Sequence, residues 1–103
     1  MIKVTFLKSE GELVGYEFGG HSDYAAQGED IVCAAVSSAA YLAANTLCDS
    51  FGIEADVTVD DGYMKLVAVK SDTTARLLVG LYRHMLQLEE QYEKDIKVII
   101  SEV

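Results

Sequence analysis

Residues 31–48 pass 18 consecutive positions without a charged side chain, in a chain of only 103. A stretch that long must be buried, in protein or in lipid, and it reaches the length at which a membrane helix becomes conceivable. The composition points to protein. The run is rich in Ala, contains Ser37, Ser38, Asn45 and Thr46, and has no flanking Lys or Arg. Ala gains little on transfer to hydrocarbon, and the polar groups cost some of that gain. The reading is a buried helix over 31–51, with Asp30 as its N-cap and Gly52 as its C′ residue. A helix apolar nearly all round needs cover on more than one side. A chain this small supplies little cover, so a homodimer burying part of this helix is expected.

The segments around it carry strand and helix signals. Ile2, Val4 and Phe6 alternate with Lys3, Thr5 and Leu7, a strand pattern that ends in the turn Ser9-Glu10-Gly11-Glu12. Residues 13–18 form a second strand with Val14, Tyr16 and Phe18 on one face. Residues 19–29 read as a polar loop with glycines. Ala55, Val57 and Val59 alternate with Asp56, Thr58 and Asp60, and Asp60-Asp61-Gly62 turns the chain into a return strand over 63–69. Ser71 caps a second helix over 72–92, whose apolar stripe is Leu78, Leu81, Tyr82, Met85, Leu88 and Tyr92. Ile96, Val98 and Ile100 make the last strand. The order is β-β-α-β-β-α-β. That order predicts a single α+β domain over 1–103, an antiparallel or mixed sheet with both helices packed on one face.

Eight basic residues against seventeen acidic ones leave a net charge of −9. That balance argues against a nucleic-acid surface, which needs clustered Lys and Arg. The N-terminus has no apolar secretory core, and two Cys cannot build a disulfide framework. A cytoplasmic protein with reduced thiols and no membrane association is expected. Two Cys and two His at these spacings do not resemble a metal site, so neither metal nor cofactor is expected.

The two Cys differ in placement. Fifteen residues along one helix put Cys33 and Cys48 about 22 Å apart, too far to bridge. Cys48 lies near the helix C-terminus, where the dipole disfavours a thiolate, and reads as a small buried hydrophobe. Cys33 falls three residues after Asp30, in a first turn whose free N–H groups favour an anion. His84 sits inside the second helix and reads as a surface or packing residue. His21 opens the Gly-flanked loop that leads to Cys33, and a Cys with a nearby His is the minimum for an activated thiol. Spacing alone leaves open that His21 has no partner.

The segments Gly20-His21-Ser22-Asp23-Tyr24-Ala25 and Gly28-Glu29-Asp30-Ile31-Val32-Cys33-Ala34-Ala35-Val36-Ser37 closely resemble the signature of the Prp family. These are the ribosomal-processing cysteine proteases of Firmicutes and relatives. The family pattern is a Gly-His pair, a short loop with Gly, Asp-Ile/Val-Val-Cys-Ala, and a Ser four residues after the Cys. The likeness extends to length and element order. Ser22 departs from it, since Ala is common there.

The resemblance implies an endopeptidase with a Cys–His dyad, acting as a homodimer. It would remove the N-terminal extension of large-subunit ribosomal protein twenty-seven. By this match Cys33 is the nucleophile and His21 its base. Asp30 and Ser37 are the motif residues that support the site; Ala34 and Gly20 are further supporting candidates, Ser22 is placed against the substrate, and Tyr24 either contacts the substrate or packs the loop. Asp30 either caps the helix alone or also orients His21. Ser37, at i+4 from Cys33, either positions a water or substrate or eases helix packing. Free N–H groups around Cys33 and Ala34 are expected to hold the oxyanion. The acidic surface either serves solubility or attracts a basic substrate before it joins RNA. The competing reading is a catalytically silent dimeric module that docks on a ribosomal or assembly partner.

Overall fold

A computed structural model describes residues 1–20 and 27–103, with only the backbone of 27–30. The elements are β1 (Ile2–Ser9), β2 (Glu12–Gly19), α1 (Gln27–Asn45, continued by a π-helical turn Thr46–Ser50), β3 (Ala55–Asp60), β4 (Tyr63–Ala68), α2 (Asp72–Gln91) and β5 (Ile96–Glu102). The expected order and class are therefore observed. The sheet runs β3-β4-β2-β1-β5. Three pairings are antiparallel, and β5 returns parallel to β1. The tight turns explain the hairpins. Glu10 and Gly11 both take positive φ between β1 and β2, and Gly62 does so between β3 and β4.

Cross-strand register gathers the apolar side chains on one face. Val4 opposes Phe18, Phe6 opposes Tyr16, and Tyr16 opposes Leu66. Both helices cover this face. Val32, Val36, Ala40 and Leu47 from the first helix meet Leu78, Met85 and Leu88 from α2 in one core cluster. Burying each large apolar side chain there stabilises the fold by about 2 kcal/mol. The stripe expected on α2 is present, with Tyr82 edge-on to Phe6 at a centroid distance of 5.2 Å. Ser71 caps α2 as expected, accepting from the Thr74 N–H at 3.0 Å.

Three local expectations need correction. The first concerns β2. Leu7 pairs with Gly15 but Lys8 pairs with Leu13, so Val14 is the extra residue of a bulge. A bulge shifts side-chain parity by one. Leu13, not Val14, joins Tyr16 and Phe18 in the core cluster, while Val14 is buried outside it. Gly15 permits the bend: a Cβ there would lie 2.1 Å from the Leu66 carbonyl oxygen.

The second and third corrections concern α1. It begins at Gln27, so Asp30 stands inside the helix instead of capping it, and residues 27–29 are not loop. Gln27 and Glu29 are good helix formers that carry the first turn N-terminal of Asp30. The C-terminal signal holds, although the last turn widens to π geometry. Gly52 has φ +65, and the Ile53 N–H reaches back to the Leu47 carbonyl at 2.9 Å. By length and hydropathy the segment Ile31–Ser50 would suffice to cross a membrane. Here one side of it builds the core, and Ile31, Tyr41 and Leu42 remain exposed on the others.

Candidate active site

Strand and helix directions place the site. β2 ends at Gly19, paired with Lys3 near the start of β1 and with Tyr63 at the start of β4. Gly20 then takes φ +86, a conformation suited to Gly, and a Cβ there would stand 3.2 Å from the Met1 carbonyl oxygen. The chain thus leaves the sheet at the end from which α1 departs. His21, Ser22 and Tyr24, expected at the site, lie outside the described residues, as does the side chain of Asp30.

Cys33 is half-buried and packs against the core cluster. Ser37, one turn on, is half-buried too, and Ala34 is exposed. Residues 33, 37, 41 and 48 fall within about 80° on a helix of 3.6 residues per turn. Cys33, Ser37, Tyr41 and Cys48 therefore form one flank of the helix. None of them lines the apolar groove of about 660 Å³ between α1 and α2, whose walls include Ala35, Leu42, Leu77 and His84. The Cys33 flank is turned away from α2, toward the side of the sheet that ends in β3. His84 is exposed on that groove, as a surface or packing residue, and is remote from the Cys33 flank.

The start of α1 changes the electrostatics expected for Cys33. Cys33 is the seventh residue of the helix, in its second turn. Unpaired N–H groups belong to the first turn, and the dipole's effect falls off within it. The backbone N–H groups of Cys33 and Ala34 lie in the hydrogen-bonded body of the helix and are not free to hold an oxyanion.

Below this flank lies Tyr16, fully buried. Its hydroxyl donates to the Ala40 carbonyl at 2.6 Å. Burial pushes its phenol well above the usual tyrosine range, with Cys48 and Tyr41 adding to the effect. Tyr16 thereby ties β2 to α1 midway between the two thiols. Tyr41 was not singled out from sequence, and the bond of Tyr16 to α1 was not foreseen from its place on a strand face. The continuing i, i+4 step from Cys33 through Ser37 to Tyr41 was the available signal for the first. Nothing local signalled the second.

Comparison with known proteins agrees with this fold. The family model described as "Cysteine protease Prp" matches residues 1–97. The ribosomal processing cysteine protease Prp of Bacillus subtilis is 29% identical over 107 aligned positions, covering 95% of this chain and 96% of the relative. The crystal structure of the Staphylococcus aureus ribosomal processing protease Prp with a covalently linked product peptide superposes with a TM-score of 0.84. That pair is 25% identical, covering 98% of this chain and 100% of the other. The same S. aureus protease in complex with a substrate peptide gives a TM-score of 0.88 at 24% identity, with the same coverage.

Proposed function

This chain belongs to the cysteine protease Prp family, and from that premise we propose that it is a cysteine endopeptidase using a Cys33–His21 dyad. Its substrate is the precursor of large-subunit ribosomal protein twenty-seven, from which it removes the N-terminal extension. The observation that carries this reading is the placement of Cys33. It is half-buried on α1, one turn before Ser37, and α1 is the first described element after the strand that ends at Gly19.

The chemistry follows from thiol reactivity. His21 takes the Cys33 proton, or holds the thiolate as an ion pair, and the thiolate attacks the scissile carbonyl. The C–N bond breaks as protonated His21 donates to the leaving amine, and water then hydrolyses the thioester. Because Cys33 sits beyond the first helical turn, its activation rests on His21 and not on the helix terminus. Asp30 acts through His21, orienting it, and Ser37 positions water or substrate on the same flank. Ser22 and Tyr24 contact the peptide.

The enzyme works in the cytoplasm as a homodimer. Supporting the dimer are the exposed apolar residues Ile31 and Leu42 on α1. A net charge of −9 favours a basic protein substrate met before it joins RNA. The test incubates the protein with the precursor beside Cys33→Ala and His21→Ala. Cleavage by the wild type, lost in both variants, is the expected result. A wild type that never cuts, or a Cys33→Ala protein that still does, overturns it.

A further inference from the structure

The two edges of the sheet are unlike. At β5 the first half of the edge is covered, because the Ile96 N–H donates to the Tyr92 carbonyl at 3.1 Å and the Glu89 carboxylate of α2 accepts the Val98 N–H at 2.6 Å. At β3 no described group takes that role. The Val69 N–H donates to the Glu54 carbonyl at 3.0 Å. Pairs in an antiparallel ladder alternate between bonded and non-bonded. That bond therefore makes Asp56–Val67 and Thr58–Lys65 the bonded pairs. It leaves the N–H and C=O groups of Val57 and Val59 directed out of the sheet. Natural sheets usually blunt such an edge, and an open one is a template for another strand.

The side chains of β3 say what kind of strand fits. Val57 and Val59 oppose Leu66 and Met64, so they lie on the helix-covered face. Yet they are 43% and 51% exposed, an apolar shelf beyond the helix layer. Asp56, Thr58 and Asp60 alternate onto the opposite face. Glu54, Asp56, Asp60 and Asp61 fall within eight residues that contain no Lys or Arg. None of the four forms an ion pair with a described residue.

We propose that β3 is the docking strand for the substrate: an extended peptide alternating apolar and basic residues adds to the free sheet edge. Its apolar side chains lie over Val57 and Val59, and its basic ones face Asp56 and Asp60. Backbone bonds supply affinity and the alternating side chains supply selectivity, as in other strand additions. The geometry suits the reaction. β3 runs toward the sheet end from which α1 departs, on the side the Cys33 flank faces, so a docked chain leads to the thiol. A second copy of β3 is disfavoured as the occupant, since antiparallel self-pairing sets these carboxylates against one another. The inference rests on the proposed peptidase reading, and its test separates the two.

Val57→Pro deletes an outward N–H and leaves the bonds to β4 intact. It is expected to raise KM for the precursor about ten-fold, with kcat within about two-fold, the equivalent of one or two lost hydrogen bonds. Alkylation of Cys33 by iodoacetamide stays at the wild-type rate. Asp56→Lys with Asp60→Lys keeps the strand and is expected to raise KM by a similar factor. A binding arm needs no turnover. The Cys33→Ala protein is mixed with a ten-residue peptide of alternating Leu and Lys, and amide hydrogen exchange is followed. Slowed exchange at Val57 and Val59, absent with the Leu/Glu counterpart, supports docking. Unchanged exchange there overturns it, as does wild-type KM in both variants. A wild type that fails to cleave the precursor sinks the peptidase reading alone, and the exchange arm still decides the docking strand.

Discussion

Cys33 and Cys48 share one helix and one flank of it, both half-buried and both against the core. What separates them is the end of the sheet each faces. Cys48 sits in the closing π turn beside Tyr16, enclosed by structure that is complete without chemistry. Cys33 sits in the second turn of α1, toward the helix start that follows β2. Burial and residue type are alike for the two. The proposed difference in reactivity therefore rests on what the chain brings to Cys33, and not on burial or residue type.

The strongest way to break this contrast is to exchange the losses. Cys33→Ala is expected to lower precursor cleavage by at least about a thousand-fold, since it deletes the proposed nucleophile. Cys48→Ala is expected to leave kcat/KM within about two-fold and to cost about 1 kcal/mol of stability. Steady-state kinetics and urea unfolding read both. Equal activity losses would erase the distinction.

A second test bends the sheet under both thiols. Gly15→Ala drives a Cβ into the Leu66 carbonyl oxygen, and overpacking of this kind costs about 3 kcal/mol. Denaturant unfolding should show the loss. A stability equal to wild type would mean that the close approach of β2 and β4 is not needed.

A third tests the tie between β2 and α1 midway between the two thiols. Tyr16→Phe removes the hydroxyl bonded to Ala40 and should cost about 1 kcal/mol. The phenol's pKa is raised in the fold. Its contribution is therefore full below the unfolded value of about 10 and is lost as pH rises through the folded value. Unfolding free energy measured from pH 8 to 11 should fall less steeply for Tyr16→Phe than for wild type.

The smallest effect lies at the exposed Lys70–Glu10 pair. Hydrogen bonding and charge attraction from Lys70 lower the Glu10 pKa. Its support is present above the ordinary glutamate value and fades as pH falls through the lowered one. Glu10→Gln should remove that slight acid-side dependence, seen as a Tm difference between pH 3 and 6 that shrinks in salt.

These contrasts were unevenly legible in the chain. The second helix was readable throughout, because Ser71 and an unbroken apolar stripe are local signals. The first was readable at its glycine end and misread at its start, where Gly28 suggested loop while Gln27 and Glu29 favour helix. The bulge at Val14 leaves no local mark, since Leu13 and Val14 are both apolar and only pairing with β1 decides which is inside. The alternation of Val57 and Val59 reads the same in a central strand and at an open edge. Nothing in it shows that those side chains lie beyond the helix layer. The choice between the two thiols came chiefly from the resemblance of the Gly20-His21 and Asp30-to-Ser37 segments to a known signature. The helix terminus does not single out Cys33, because α1 begins at Gln27 and Cys33 falls in its second turn.

The central claim is that the nucleophile is Cys33. The direct measurement mixes the wild-type protein with the precursor, quenches in acid within the first turnover, and maps the adduct by mass spectrometry. A thioester of the released extension on Cys33, with Cys48 unmodified, is the predicted result. Cleavage that proceeds at full rate after Cys33 is blocked, or an acyl group found on another residue, would contradict it.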